Sequence, residues 1–194
     1  MIRSRPLPAV AVPPVTRDPE VVAAYLDDAS GAPRGHACGL VRVESEGEAA
    51  ALLAATRAQA TPILCQAART SLTGGAIPYG ELVVSVERMD SIGPVEATGD
   101  SATVRVEPGV RLATLGSELA RRGWYYPPTP TYRQAMIGGS VATNAGGAAT
   151  FKYGVTRQWV RALRVLLWNG ELIEVERGQL QAARGGRFTV VSAD

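Results

Sequence analysis

Between Ile137 and Gly147 the chain sets two glycine pairs, Gly138-Gly139 and Gly146-Gly147, on either side of a Thr143-Asn144 dipeptide. A glycine pair lets a second backbone or a ligand approach closely, and it also weakens any helix or strand that contains it. The run is therefore expected to be an irregular loop. Thr143 and Asn144 are polar groups in an otherwise apolar stretch, and such groups bond either to the protein or to a ligand. Close packing of the glycines, with Asn144 capping a turn, accounts for the run as readily as a ligand does. Lys152-Tyr153-Gly154 follows with the only lysine in the chain, one cation near a glycine loop.

A second segment of small residues lies upstream, Gln66-Ala67-Ala68-Arg69-Thr70-Ser71-Leu72-Thr73-Gly74-Gly75. It leaves a short apolar run, Pro62-Ile63-Leu64-Cys65, that reads as a strand. Small residues in a row allow several backbone N–H groups to converge on one point, the geometry that holds phosphate oxygens. An ordinary turn has the same composition. The segment is neither a Walker A loop nor a dinucleotide fingerprint, because it lacks both Gly-Lys-Ser/Thr and three spaced glycines.

The rest of the chain supplies a frame. Asp18 before Pro19 marks a helix start over 19–28, Ser45 with Glu48 forms a capping box for a helix over 46–60, and Gly123 ends a helix that carries Leu112, Leu115 and Leu119 on one face. Strands are expected at 39–43, 62–65, 82–86 and 102–106, and a hairpin with a type I′ turn at Asn169-Gly170 joins 160–168 to 171–176. Strand, helix and strand over 39–65 make one βαβ unit. The fold class is α+β.

Composition narrows the function. No apolar run reaches the length of a membrane span, and the Pro- and Ala-rich first 16 residues make a poor signal-peptide core, which reads as a cytoplasmic protein. Arginines and acidic residues alternate along the chain and give a formal net charge of +2, without the basic stripe that grips nucleic acid. Cys38 and Cys65 are too few for a disulfide framework and are expected to be buried thiols. His36 has no second histidine to share a metal, so no metal site is expected.

Taken together, Thr70-Ser71-Leu72-Thr73-Gly74-Gly75-Ala76, Val106-Glu107-Pro108-Gly109-Val110, Pro127-Pro128-Thr129-Pro130, the Ile137 to Gly147 run and Lys152-Tyr153-Gly154-Val155-Thr156-Arg157 follow the order and spacing of one family. From about residue 39 to 176 the chain resembles the FAD-binding PCMH-type (vanillyl-alcohol oxidase-like) domain, most closely its glycolate oxidase and D-lactate dehydrogenase branch. The resemblance implies a two-subdomain FAD-binding fold, C-terminally incomplete, with an arm and helix at 1–38, a first subdomain at 39–90 and a second at 91–194.

It also implies a site. Backbone amides of Ala68, Arg69, Thr70, Ser71, Leu72, Thr73 and Gly74 would wrap the flavin pyrophosphate, and Pro128, Thr129, Gly138, Gly139, Thr143, Asn144, Gly146, Gly147, Tyr153 and Gly154 would line the ring and ribityl chain. Tyr132 is a further ring neighbour by the same likeness. The flavin would be non-covalent, since His36 lies outside the matching motifs. The activity implied is an FAD-dependent oxidoreductase acting on a small 2-hydroxy acid such as glycolate or lactate, passing electrons to a separate acceptor, with a further domain or subunit supplying the substrate cap. No catalytic residue is identified, and Asp27, Asp28, Glu81 and Glu87 read as solvated surface charges. The alternative is a truncated or degenerate flavin-fold module without turnover, serving as a binding or interaction subunit.

One departure bears on that alternative. The family carries Arg-Gly-x-Gly before the Thr, where this chain has Gln66-Ala67-Ala68-Arg69. Arg69 is expected to keep a negative φ, with its guanidinium toward solvent or a phosphate.

Overall fold

A parallel three-stranded sheet carries the upstream loop. In the computed structural model, which describes residues 2–128 and 131–192, the strands β2 (Gly39–Arg42), β3 (Ile63–Gln66) and β4 (Leu82–Ser85) pair in the order β2-β4-β3. The central strand β4 is buried along its whole length, which is why Leu82-Val83-Val84 is a continuous apolar run rather than an alternating one. Because β2 and β3 both run parallel to β4, each connection must cross over rather than turn back.

The chain forms two compact units, neither continuous in sequence. One comprises Pro14–Val43 and Pro62–Trp159; the other takes the residues through Pro13, Glu44–Thr61 and those from Val160 onward. In the larger unit, α1 (Pro19–Ala23) starts on Asp18, whose carboxylate accepts the Glu20 N–H, and Val22 and Tyr25 pack on Leu40 and Val83 of the sheet. Helix α1 ends earlier than residue 28 because the following residues make turns instead. A second core in this unit joins the antiparallel hairpin β5 (Ile92–Thr98) and β6 (Ser101–Val106) to α3 (Leu112–Ala120). Leu112, Leu115 and Leu119 form the buried face of α3, against Ile92, Val95, Val104 and Val106. Gly123, at φ 76°, ends that helix as its sequence predicts. Strand β5 has no sequence signal because Gly93 and Pro94 interrupt it, and the register shifts there.

The smaller unit holds α2 (Glu46–Ala58), the hairpin β7 (Ala162–Leu166) and β8 (Leu172–Glu176), and the parallel pair β1 (Ile2–Arg3) and β9 (Val190–Val191). Ser45 caps α2 through the Glu48 N–H, and Glu48 returns a bond to the Glu44 N–H, the reciprocal pattern expected from the sequence. The hairpin turn differs from expectation. Gly170 has φ 84° but Asn169 does not have a positive φ, and bonds from Gly170 N to Leu167 O and from Leu167 N to Glu171 O close a three-residue loop. Type I′ needs positive φ at both central residues, so this is a type I turn with a glycine bulge. A side chain at Gly170 would come within 2.8 Å of the Ala50 carbonyl oxygen on α2.

Three further expectations are corrected. Cys38 and Cys65 are exposed rather than buried, because β3 presents Cys65 on a face of the sheet that is only partly covered. Ile137–Ala142 is a helix, α4, and not a loop: Ile137 and Ser140 bury one face, which offsets the weak helical preference of Gly138 and Gly139. Arg69 lies in the left-handed region at φ 55°. No helix among the described residues is long and apolar enough to cross a membrane.

Candidate functional site

Strand β3 ends at Gln66, and the loop that follows leaves most of its amides free. Among the described residues, the backbone N–H groups of Ala68, Arg69, Thr70, Ser71, Leu72 and Gly74 meet no protein acceptor. Within the same stretch only Thr73 N–H is bonded, to Ser71 Oγ at 3.2 Å, and Gly75 N–H reaches the same oxygen at 3.3 Å. Gly74 takes φ 76°, so the chain reverses there and Ile77 N–H bonds back to Gly74 O. Six free donors in seven residues make a surface that favours an anion. Leu72, at 77% exposure, offers an apolar contact beside them.

What shapes the loop lies in residues that sequence reasoning passed over. Arg69 sends its guanidinium over the ring of Tyr25, 4.6 Å from the centroid, and remains partly exposed. Tyr25 is buried, and its hydroxyl donates to Glu87; burial first and then that bond push its phenol above the ordinary range. Asp28 accepts from the Ser30 N–H at 2.9 Å and from the Ala76 N–H at 3.2 Å. Its burial raises the carboxyl, but hydrogen bonds from Ser30, Ala76 and Ser71 outweigh this and hold it below the usual value. Asp28 and Glu87 are therefore structural acceptors, not solvated surface charges. The signal for Asp28 was available, since Asp28-Ala29-Ser30-Gly31 is an Asx-turn sequence; nothing in the periodicity marked Tyr25.

Gln66 is 2% exposed, and its side-chain nitrogen donates to Tyr25 O at 2.8 Å and Ala76 O at 2.6 Å. Its Oε1 is buried without a donor. An orphaned acceptor of this kind costs about 1–3 kcal/mol. Phosphate oxygens cannot satisfy it; a ligand hydroxyl or a water can.

The second glycine segment meets the first within the same unit. At Gly139 a Cβ would stand 3.4 Å from the Ala67 side chain, so α4 sits against the start of the loop. Gly138 has a different reason: its Cβ would lie 2.6 Å from the Pro108 side chain. Thr143 Oγ1 donates to Gly139 O, and Asn144, at φ 50°, accepts the Arg157 N–H at 3.0 Å. Gly147 N–H donates to Thr150 Oγ1, and a Cβ at Gly146 would be 2.7 Å from the same oxygen. Thr143 and Asn144 thus have protein partners. Gly154, at φ 75°, leaves room for Gln158, which accepts the Val155 N–H.

Tyr153 stands with Tyr125 in an edge-on pair, centroids 6.0 Å apart, and Lys152 Nζ lies 4.9 Å above its ring. The hydrogen bond from Tyr125, then Lys152, lowers the Tyr153 phenol. Tyr132 is exposed, Pro128 is fully buried, and Thr129 lies outside the described residues.

Residues 37–176 match the FAD binding domain family. The chain belongs to that family. It is 36% identical over 137 residues to the D-lactate dehydrogenase of Anaerostipes hadrus, covering 70% of this chain and 28% of that one. It is 37% identical over 114 residues to the glycolate oxidase subunit GlcD of Bacillus subtilis, covering 58% and 24%. The chain therefore spans less than a third of these curated relatives. Its fold is similar to that of 6-hydroxy-D-nicotine oxidase from Arthrobacter nicotinovorans, with a TM-score of 0.73 at 20% identity over 89% of this chain and 37% of that structure. The α+β fold is thus that of the PCMH-type FAD domain, and FAD is the family's cofactor.

The residues present suit that cofactor. Free amides neutralise a pyrophosphate without a mobile charge, and the hydroxyl groups of a flavin nucleotide are donors of the type that Gln66 Oε1 lacks.

Proposed function

We propose that the chain is the FAD-binding part of an oxidoreductase that acts on a small 2-hydroxy acid of the lactate or glycolate class. The observation that supports this most is the row of unbonded amides at Ala68, Arg69, Thr70, Ser71, Leu72 and Gly74. In this reading they hold the pyrophosphate, while Gly139 keeps α4 close to the loop and Tyr153 and Gly154 lie toward the ring. The ring-side assignments of Pro128, Thr129, Gly138, Thr143, Asn144, Gly146 and Gly147 rest on the family likeness; within the chain Thr143 and Asn144 serve to hold the backbone beside the ligand. Segments 39–90 and 91–194 would act as the pyrophosphate-side and ring-side subdomains.

Bound non-covalently, FAD supplies two-electron acceptance from the carbon that bears the substrate hydroxyl. The protein binds and orients it, while a further domain or subunit covers the substrate and a separate acceptor in the cytoplasm takes the electrons. A second reading is a flavin-binding module without turnover of its own, in which Thr143 and Asn144, bonded to Gly139 O and the Arg157 N–H, only hold the backbone beside the flavin.

Titration of the purified chain with FAD, followed by flavin fluorescence and by gel filtration, tests the cofactor reading. Co-elution of FAD with the protein is expected. A dissociation constant weaker than about 1 mM would reject it. Bleaching of the bound flavin by D-lactate or glycolate without oxygen favours the oxidoreductase over the silent module.

A further inference from the structure

We propose that residues 25–30 are the positioning element of the 66–76 loop, holding it in the shape whose amides bind the flavin pyrophosphate. The proposal rests on the FAD reading given above. These residues lie before the segment that matches the FAD binding domain family, residues 37–176.

Both ends of the loop are tied to this one short segment. At the start, the Arg69 guanidinium lies 4.6 Å from the Tyr25 ring centroid, and the Ala29 N–H donates to Arg69 O at 3.2 Å. At the far end, Asp28 Oδ2 accepts the Ala76 N–H at 3.2 Å. Gln66 closes the arrangement, since one side-chain nitrogen donates to Tyr25 O and to Ala76 O. Tyr25 is itself fixed by the sheet, packed with Leu40 and Val83, with its hydroxyl on Glu87.

Such fixing has a purpose at Arg69. A non-glycine residue in the left-handed region is disfavoured and persists only where its surroundings over-determine it. Were the Tyr25 ring and the Ala29 bond lost, Arg69 would relax to an ordinary φ, and the peptide planes on either side would turn. Those planes carry the free N–H groups of Arg69 and Thr70. The Tyr25 ring thus substitutes, by holding an arginine, for the conformational freedom that a glycine would have.

The test uses the full chain with three variants, Tyr25→Leu, Asp28→Ala and Tyr25→Phe. Amide hydrogen exchange is measured at Thr73, Gly75 and Ile77, which are hydrogen-bonded within the loop. FAD affinity is measured in parallel. Tyr25→Leu and Asp28→Ala should exchange about three- to tenfold faster at these amides and bind FAD more weakly by a similar factor, with α3 and β6 amides unchanged. Tyr25→Phe keeps the ring under Arg69 and its packing on Leu40 and Val83, losing only the bond to Glu87, and should stay closer to the parent than to Tyr25→Leu. Parental exchange in Tyr25→Leu, equal loss in Tyr25→Phe, or faster exchange with FAD affinity intact would each overturn the proposal. If the parent binds no FAD while the exchange pattern appears, the loop-positioning role is supported and the FAD reading is the one that fails.

Discussion

Arg164 grips Glu46 with a two-pronged ion pair, Nε to Oε1 at 2.6 Å and a terminal nitrogen to Oε2 at 2.5 Å, joining β7 to the first turn of α2. A second contact from Arg164 to Glu174, at 3.1 Å, ties in the neighbouring strand β8. The pair is only partly exposed, and its planar fork is the geometry in which an arginine cannot be replaced by lysine without loss. Arg164→Lys should lower stability by about 1 kcal/mol in urea unfolding, and Glu46→Gln by a similar amount. No shift in the midpoint for either would mean that the fork contributes nothing in water.

Arg69 offers a sharper contrast. Glycine at this position relieves the left-handed φ, worth about 1–2 kcal/mol, while losing a cation–π contact of about 0.5–1 kcal/mol and adding unfolded-chain entropy. These nearly cancel, so Arg69→Gly should change stability by less than about 0.5 kcal/mol. Arg69→Ala keeps the strain and loses the contact, and should cost about 1 kcal/mol. Thermal unfolding of the two variants checks the order; a more stable alanine variant would contradict it.

Asp28 should make the loop sensitive to acid. Its carboxyl is held below its ordinary value of 3.8, so the folded state binds the proton less readily than the unfolded chain. The stabilisation is complete above the unfolded value and is lost as pH falls through 3.8 and then through the lower folded value. Protection of the Ala76 amide, corrected for intrinsic exchange, should fall as pH drops below about 4. Asp28→Asn should show no such dependence, and a parental profile in that variant would assign the titration to another carboxylate.

Tyr153 and Tyr125 share one hydrogen bond and move in opposite directions because of it. Tyr153 is lowered chiefly by the bond from Tyr125, and Tyr125 is raised chiefly by giving it. Tyr125→Phe should therefore raise the Tyr153 titration, followed as phenolate absorbance, while Lys152 still keeps it from the full rise. A Tyr153 titration unmoved by this change would show that the two hydroxyls do not interact in solution.

Much of the frame was legible in the sequence because its signals are local. The Ser45 and Glu48 capping box, Asp18 before Pro19, the Leu112, Leu115 and Leu119 stripe and Gly123 each act within a turn or two of their own position. The failures come from tertiary contacts that override local preference. Gly138 and Gly139 read as loop formers, yet burial of Ile137 and Ser140 makes them helical, and Gly138 is required by Pro108 some thirty positions away in sequence. Arg69 reads as a residue that would avoid positive φ, and the ring of Tyr25 together with the Ala29 N–H bond to its carbonyl explains why it does not. The loop itself was found from its small residues, but which of its amides remain free depended on where Ser71 Oγ turned.

Strand β1 runs beside β9, with Ile2 opposite Val190 and Arg3 opposite Val191, and Ser4 and Ser192 share the carboxylate of Glu171. The two strands of this pair lie at positions 2–3 and 190–191, so their contact joins segments that are far apart along the chain. The larger unit, whose segments end at Trp159, can settle while that pair still waits. Closing so long a span is slow, and until it happens β1 and β9 each lack the strand they pair with.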